Sequence, residues 1–143
     1  MVNLFVGHKG TGKTKMMIDL ANSRAESCDG HIVFINKNQR LIYDLIHQIR
    51  VVFMEDYDEI TNSDEYIGFL YGIISADHDI EAIFIDSILK HADVSTNDIP
   101  DFLTRLQVIS DQHNIDFIVS LSADINDLPQ DIYNFNLLES AGC

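Results

Sequence analysis

The chain has 143 residues, 46% of them hydrophobic, and this size and composition predict one domain spanning residues 1–143. The formal net charge of −14 produces a field that repels nucleic acids and anionic lipids, so we expect no nucleic-acid or membrane partner. No apolar run approaches the roughly 18 residues that a membrane span requires, and the first residues lack the basic region of a signal peptide. Cys28 and Cys143 have no metal or redox spacing, which favours free thiols in the cytoplasm.

Strand-like apolar runs alternate with helix-like segments along the chain. This pattern is typical of an α/β domain with a mostly parallel sheet, here of five or six strands. The runs are rich in valine, isoleucine and phenylalanine without polar alternation, as expected for strands covered on both faces. Strands are predicted at Val2–Val6, His31–Ile35, Ile49–Met54, Ala82–Ile85 and Asp116–Leu121.

Three helices are predicted between these strands. The first runs from Lys13 to about Arg24. The second starts after Asn62 or Ser63, where Asn62 and Glu65 resemble a capping box. The third begins near Asp98 and has a proline at position 100, in its first turn, where the missing N–H is tolerated.

Two segments allow more than one interpretation. Residues 40–48, RLIYDLIHQ, suit a short helix, but part of the segment suits equally a strand that forms a hairpin with the next one. The tail after Pro129 suits a helical turn or an edge strand. The strand count therefore stays at five or six.

The stretch GHKGTGKT, residues 7–14, fits the phosphate-loop template G-x-x-x-x-G-K-[ST] between a strand and a helix. Its glycines permit unusual backbone angles, so successive N–H groups can surround an anion at the positive end of the following helix. Lys13 is expected to reach the terminal phosphates, and the Thr14 hydroxyl to ligate Mg²⁺. The predicted nucleotide-binding residues are Gly7, His8, Lys9, Gly10, Thr11, Gly12, Lys13 and Thr14.

A phosphate loop requires an acidic partner for its metal. The run EAIFIDSI places Asp86 at the end of an apolar strand, and in a doubly wound sheet such a residue lies beside the loop. The predicted metal ligands are therefore Thr14 and Asp86.

The last long strand, DFIVSLSAD, ends in Ser120, Ser122 and Asp124. In the branch of phosphate-loop proteins that inserts a strand between the loop strand and the metal-aspartate strand, a polar residue there senses the terminal phosphate. Ser120 or Ser122 is a candidate for this role, and we include Ser122 in the predicted nucleotide site. The alternative is that both serines are ordinary strand-end and turn residues.

Hydrolysis needs a residue that activates water, commonly a glutamate. The position directly after Asp86, which holds this glutamate in many ATPases, is Ser87. Glu55, after the strand IRVVFM, is the best remaining candidate, although it also lies in an acidic run and can be an ordinary exposed side chain. The predicted catalytic residues are Lys13 and Glu55.

Several other functions are disfavoured. Nucleotide kinases of this class carry a lid with several arginines, and no such segment is present. The tetrapeptide NKNQ, residues 36–39, lacks the final aspartate of a guanine-specificity motif, and no D-x-x-G follows Asp86. The six histidines share no ligand spacing, which argues against a zinc site.

Taken together, GHKGTGKT, IFIDSI and FIVSLSAD resemble the RecA-like branch of P-loop ATPases. The segments HIVFIN, RLIYDLIHQIRVV, YIGFLYGIIS and IEAIFIDSI resemble, in that order, short clostridial-type ATP-binding proteins labelled as similar to the twitching-motility ATPase PilT. This resemblance implies a single three-layer RecA-like domain that binds ATP and Mg²⁺ through residues 7–14 and Asp86. It does not imply the motor role, because the additional domain and the acidic and histidine boxes of pilus-retraction ATPases are not found.

Three functions follow from these features. The first is a nucleotide-binding protein that holds Mg-ATP, hydrolyses it slowly if at all, and acts as a switch or sensor. The second is a homo-oligomeric ATPase in which Arg40, Arg50 or Arg105 of one subunit completes the site of another. The third is a non-enzymatic module that keeps the loop as a scaffold for an unknown protein partner.

Overall fold

A six-stranded sheet forms the centre of the protein in a computed structural model that describes residues 1–8, 10, 12–37, 44–88 and 94–138. The strand order is β3-β2-β4-β5-β1-β6, and every pairing between these strands is parallel. This confirms the predicted α/β class and the mostly parallel sheet. The strands are β1 (Val2–Gly7), β2 (His31–Asn36), β3 (Arg50–Phe53), β4 (Ile80–Ile85), β5 (Asp116–Ser122) and β6 (Asn136–Leu138).

The central strands are buried on both faces, which explains why their sequences do not alternate. Ile32 to Ile35 of β2 and Ala82 to Ile85 of β4 are all buried. Parallel strands of this kind require covering layers on both sides of the sheet, because their apolar side chains point to both.

Three helices in the described residues provide these layers. They are α1 (Lys13–Ser27), α2 (Ser63–Ala76) and α3 (Ile99–His113). Met17, Ile18 and Ala21 of α1 pack with one face of the sheet, whereas α2 and α3 pack with the other. The result is the predicted three-layer arrangement.

Local sequence signals fix where α2 and α3 begin. The Asn62 side chain accepts a hydrogen bond from the Glu65 N–H at 2.9 Å, as expected for an N-cap. Glu65 reaches back to the Thr61 N–H at 2.8 Å, one residue earlier than in an ideal capping box. Pro100 lies in the first turn of α3, as predicted.

The two ambiguous segments have different outcomes. Residues 40–43 lie outside the described part of the chain, and residues 44–49 form turns before β3 begins at Arg50. The tail after Pro129 contains both predicted alternatives, a 3₁₀ turn at Gln130–Asn134 and then the edge strand β6 beside β1. In the described ranges no helix is both long and apolar enough to cross a bilayer.

The strand order also determines where functional groups meet. Strand β5 lies between β1, which leads into the phosphate loop, and β4, which leads to Asp86. Because all three strands run parallel, their carboxyl ends lie at the same edge of the sheet. Gly7, Lys13, Asp86 and the serines of β5 therefore converge at that edge.

Candidate nucleotide-binding site

The phosphate loop joins β1 to α1 and contains two glycines in left-handed backbone conformation. Gly10 has φ 88° and Gly12 has φ 86°, angles that L side chains rarely adopt. Gly12 is also the N-cap of α1, so the positive end of that helix faces the loop. Lys9 and Thr11, which the sequence places in the predicted nucleotide site, lie outside the described residues.

Lys13 is buried against the main chain of the loop. Its Nζ donates hydrogen bonds to the carbonyl oxygens of Gly7 at 2.8 Å and His8 at 2.7 Å. Only 5% of the residue is exposed, and a buried ammonium needs such acceptors to offset its lost hydration. The positive charge is thereby held inside the loop, where a phosphate group would lie.

Thr14 and Asp86 meet although they are far apart in the chain. The Thr14 Oγ1 donates a hydrogen bond to Asp86 Oδ2 at 2.9 Å. Asp86 follows β4, is only 3% exposed, and its N–H donates to the carbonyl oxygen of Ile35 in β2 at 2.9 Å. Hydroxyl and carboxylate oxygens are the hard ligands that Mg²⁺ prefers, so this pair fits the predicted metal site chemically.

The second carboxylate oxygen of Asp86 is bonded to β5. The Ser120 Oγ donates to Asp86 Oδ1 at 2.7 Å and accepts a hydrogen bond from the Ser87 N–H at 2.6 Å. Ser120 is completely buried. The sequence suggests Ser120 or Ser122 as the phosphate sensor, whereas here the Ser120 hydroxyl is bonded to Asp86 and to the Ser87 N–H.

Ser122 lies two residues beyond Ser120, at the level where the loop starts. It pairs with Gly7 in the register of β5 and β1, and the next N–H, from Ala123, donates to the Gly7 carbonyl at 3.1 Å. Ser122 is half-buried. Its contact with a terminal phosphate stays a prediction.

His8 of the loop contacts Asp124, an acidic residue outside the predicted nucleotide site. Its Nε2 lies 3.4 Å from Asp124 Oδ2, just after β5. Asp124 also caps a short 3₁₀ turn by accepting a hydrogen bond from the Asn126 N–H at 2.9 Å. Asp124 follows β5, and β5 lies beside β1, which leads into the loop. Because this pairing of strands is not visible in the sequence, the sequence alone could not place Asp124 near His8.

Glu55 lies in a 3₁₀ turn directly after β3, with its side chain exposed. Strand β3 is at the sheet edge, two places from β4, which leads to Asp86, and four places from β1. With strands about 4.8 Å apart, the end of β3 lies roughly 10 Å from the end of β4 and roughly 19 Å from the end of β1. The structure thus groups Gly7, Lys13, Thr14 and Asp86 but does not bring Glu55 beside them. Its catalytic role stays a prediction.

A second polar cluster lies at the opposite, amino-terminal edge of the sheet. His31 Nδ1 lies 2.7 Å from Asp77 Oδ2, and Asp77 Oδ1 accepts a hydrogen bond from the Asp79 N–H at 3.0 Å. The hydrogen bond with His31 lowers the pKa of Asp77, although burial opposes this shift. These bonds connect the end of α2 to the start of β2.

The fold is similar to that of a KaiC-like protein from the hyperthermophilic archaeon Pyrococcus horikoshii OT3, known from its crystal structure. The TM-score is 0.66 with 20% sequence identity, and the alignment covers 96% of this chain and 70% of that one. The sequence matches no protein-family model and no curated protein. The chain therefore has a RecA-like α/β fold, and this likeness extends to the fold alone.

Proposed function

We propose that the protein binds ATP together with Mg²⁺ at the loop of residues 7–14, hydrolyses it slowly, and acts as a cytoplasmic switch or sensor. Lys13 and the loop N–H groups would hold the phosphates, and Thr14 and Asp86 would hold the metal. Bound Mg²⁺ would neutralise phosphate charge and polarise the terminal phosphate.

The contact between Thr14 and Asp86 is the observation on which this proposal rests. A hydroxyl and a carboxylate separated by 72 positions lie 2.9 Å apart, next to a buried lysine and two left-handed glycines. An ordinary glycine-rich turn requires none of these partners. The combination matches what a nucleoside triphosphate and its metal need.

The placement of the arginines supports slow rather than fast hydrolysis. Fast phosphoryl transfer commonly uses an arginine near the terminal phosphate. Arg24 donates to Asp116 at 2.8 Å at the amino end of β5, and Arg50 is the first residue of β3, so both lie at the edge opposite the loop. Arg40 is outside the described residues.

The oligomeric alternative is favoured by one observation. Arg105 lies on α3 with its side chain 43% exposed and donates to Asp64 at 2.6 Å on the surface. An exposed surface ion pair contributes little stability, so Arg105 is accessible to a neighbouring copy at small cost. The finer resemblance to the clostridial proteins labelled as similar to PilT stays a prediction, as does the non-enzymatic module.

Calorimetric titration of the wild type and Lys13→Ala with Mg-ATP tests the proposed function. We expect Lys13→Ala to weaken binding about ten- to a hundredfold, because it removes charge-assisted hydrogen bonds to phosphate. Lys15→Ala is the matched control, since Lys15 is exposed on the same helix and pairs with Asp19 at 3.1 Å. Absence of binding by the wild type, or equal affinity in both variants, contradicts the proposal.

A further inference from the structure

Ser120 is a hydroxyl group in the middle of an apolar strand. Its neighbours Ile118, Val119 and Leu121 are buried, and Ser120 itself is completely excluded from solvent. A buried hydroxyl is unfavourable unless its hydrogen bonds are satisfied. The partners of Ser120 therefore indicate why β5 holds a serine at this position.

Both partners belong to the turn that begins with the metal aspartate. A serine hydroxyl has one proton to donate, and Ser120 donates it to Asp86 Oδ1 at 2.7 Å. The Ser120 Oγ also accepts a hydrogen bond from the Ser87 N–H at 2.6 Å. Asp86 Oδ2 remains on the side of Thr14, whose hydroxyl lies 2.9 Å away.

Ser87 adopts a backbone conformation that few residues other than glycine tolerate. Its φ is 61°, in the left-handed region. Such a conformation persists only where surrounding contacts maintain it, and the hydrogen bond from the Ser87 N–H to Ser120 is one such contact. One hydroxyl thus orients the carboxylate of Asp86 and stabilises the backbone directly after it.

We infer that Ser120 is a positioning residue for metal binding: it fixes the carboxylate of Asp86 so that one oxygen faces Thr14 and the metal. This inference rests on the proposed function. It also distinguishes Ser120 from a phosphate sensor, because a sensor must donate its proton to phosphate and the proton of Ser120 is donated to Asp86. The sensor role predicted for the end of β5 is then left to Ser122.

The inference predicts a specific change in Mg²⁺ dependence. Without Ser120 the carboxylate loses a charge-assisted hydrogen bond that fixes its orientation, so the variant should use Mg²⁺ poorly. Nucleotide binding without the metal depends on the loop and on Lys13, whose Nζ donates to the carbonyl oxygens of Gly7 and His8. A merely structural defect would weaken binding equally with and without the metal.

The test is calorimetric titration with ATP, in excess Mg²⁺ and in excess EDTA, on the wild type and Ser120→Ala. We expect Ser120→Ala to bind Mg-ATP about tenfold more weakly and metal-free ATP with unchanged affinity. Ser110→Ala is the matched control: Ser110 is also a buried serine, but it lies near the end of α3, at the amino-terminal edge of the sheet, and both affinities should stay at the wild-type values.

Two further variants keep the test decisive if Ser120→Ala does not fold. Ser120→Cys has nearly the same shape but a weak donor, so it should bind Mg-ATP more weakly and metal-free ATP with unchanged affinity. Ser120→Thr retains the hydroxyl and should bind both forms as the wild type does. Equal ratios of the two affinities in wild type, Ser120→Ala and Ser120→Cys would overturn the inference and leave the proposed function intact. A wild type that binds no nucleotide would refute the proposed function itself.

Discussion

At the scale of single residues, the carboxylate of Asp86 is shared between two hydroxyl groups from distant parts of the chain. Thr14 comes from the start of α1 and Ser120 from β5. Each oxygen of the carboxylate has one of these hydroxyls as its partner. A buried carboxylate without such partners would be strongly unfavourable, so the two hydroxyls stabilise the fold and define the site at once.

The predicted role of Glu55 in activating water can be tested by removing its charge. Because its side chain is exposed at the end of β3, we expect Glu55→Gln to bind Mg-ATP with unchanged affinity. Turnover of the same variant, measured as phosphate release, then decides the catalytic prediction. Loss of hydrolysis would assign water activation to Glu55, and wild-type turnover would remove it from the mechanism.

Glu59→Gln is the control for this comparison. Glu59 is exposed in the same acidic segment and undergoes the same loss of charge. We expect it to match the wild type in both affinity and turnover. An equal effect of both substitutions would indicate a general electrostatic effect of the acidic run.

At the scale of secondary-structure elements, the two edges of the sheet have different tasks. The carboxyl edge holds the loop, Asp86 and the serines of β5. At the amino edge, polar contacts connect the ends of helices to the starts of strands. There His31 at the start of β2 is bonded to Asp77, which is also the C-cap of α2. This contact fixes the end of α2 relative to the strand that it must cover.

The lowered pKa of Asp77 makes this contact dependent on pH. The hydrogen bond with His31 is the main cause, so the folded state holds the ionised carboxylate more strongly than the unfolded state does. Asp77 therefore contributes stability above its ordinary pKa of about 3.9, and that contribution is lost as pH falls through the lower folded value.

Urea denaturation of the wild type and Asp77→Asn at pH 7 and at pH 3 tests whether the stabilisation by Asp77 is lost in acid. We expect the variant to be less stable than the wild type at pH 7 and the difference to shrink at pH 3. The control is Asp58→Asn, since Asp58 is exposed in a turn. This variant should have the stability of the wild type at both pH values. A difference between Asp77→Asn and wild type that grows in acid would contradict the assignment.

At the scale of the whole molecule, occupation of one site should stabilise the entire fold, because the site joins three strands and a helix. Mg-ATP at a hundred times its dissociation constant adds about 2.7 kcal/mol to the free energy of unfolding. For a chain of 143 residues this corresponds to a rise in Tm of roughly 9 °C. The non-enzymatic module predicts the same Tm with and without Mg-ATP.

Light scattering of the same samples separates the monomeric switch from the oligomeric ATPase. The proposed switch predicts a monomer with and without Mg-ATP, in which Arg105 stays paired with Asp64 of its own chain. A nucleotide-dependent oligomer whose turnover falls in Arg105→Ala would instead favour the arginine supplied by a neighbouring subunit.

Patterns that are local in sequence predict much of this fold. All five predicted strands are present, since strands buried on both faces give continuous apolar runs, and the helix starts follow from Asn62 and Pro100. The loop and Asp86 are recognisable because the phosphate and Mg²⁺ chemistry proposed for them restricts the residue types. The remaining features depend on the order of the strands in the sheet. Ser120 is buried and His8 contacts Asp124 because β5 lies between β1 and β4.

The turn after Asp86 offers a way to observe the site without any label. The Ser87 amide is bonded to a side chain rather than to a neighbouring strand, so its exchange with deuterium requires only the loss of one hydroxyl contact. Local opening at this turn should exchange that amide far sooner than the amides inside β4. Its exchange rate, followed by NMR as nucleotide and metal are added, would report how tightly the aspartate is held in solution.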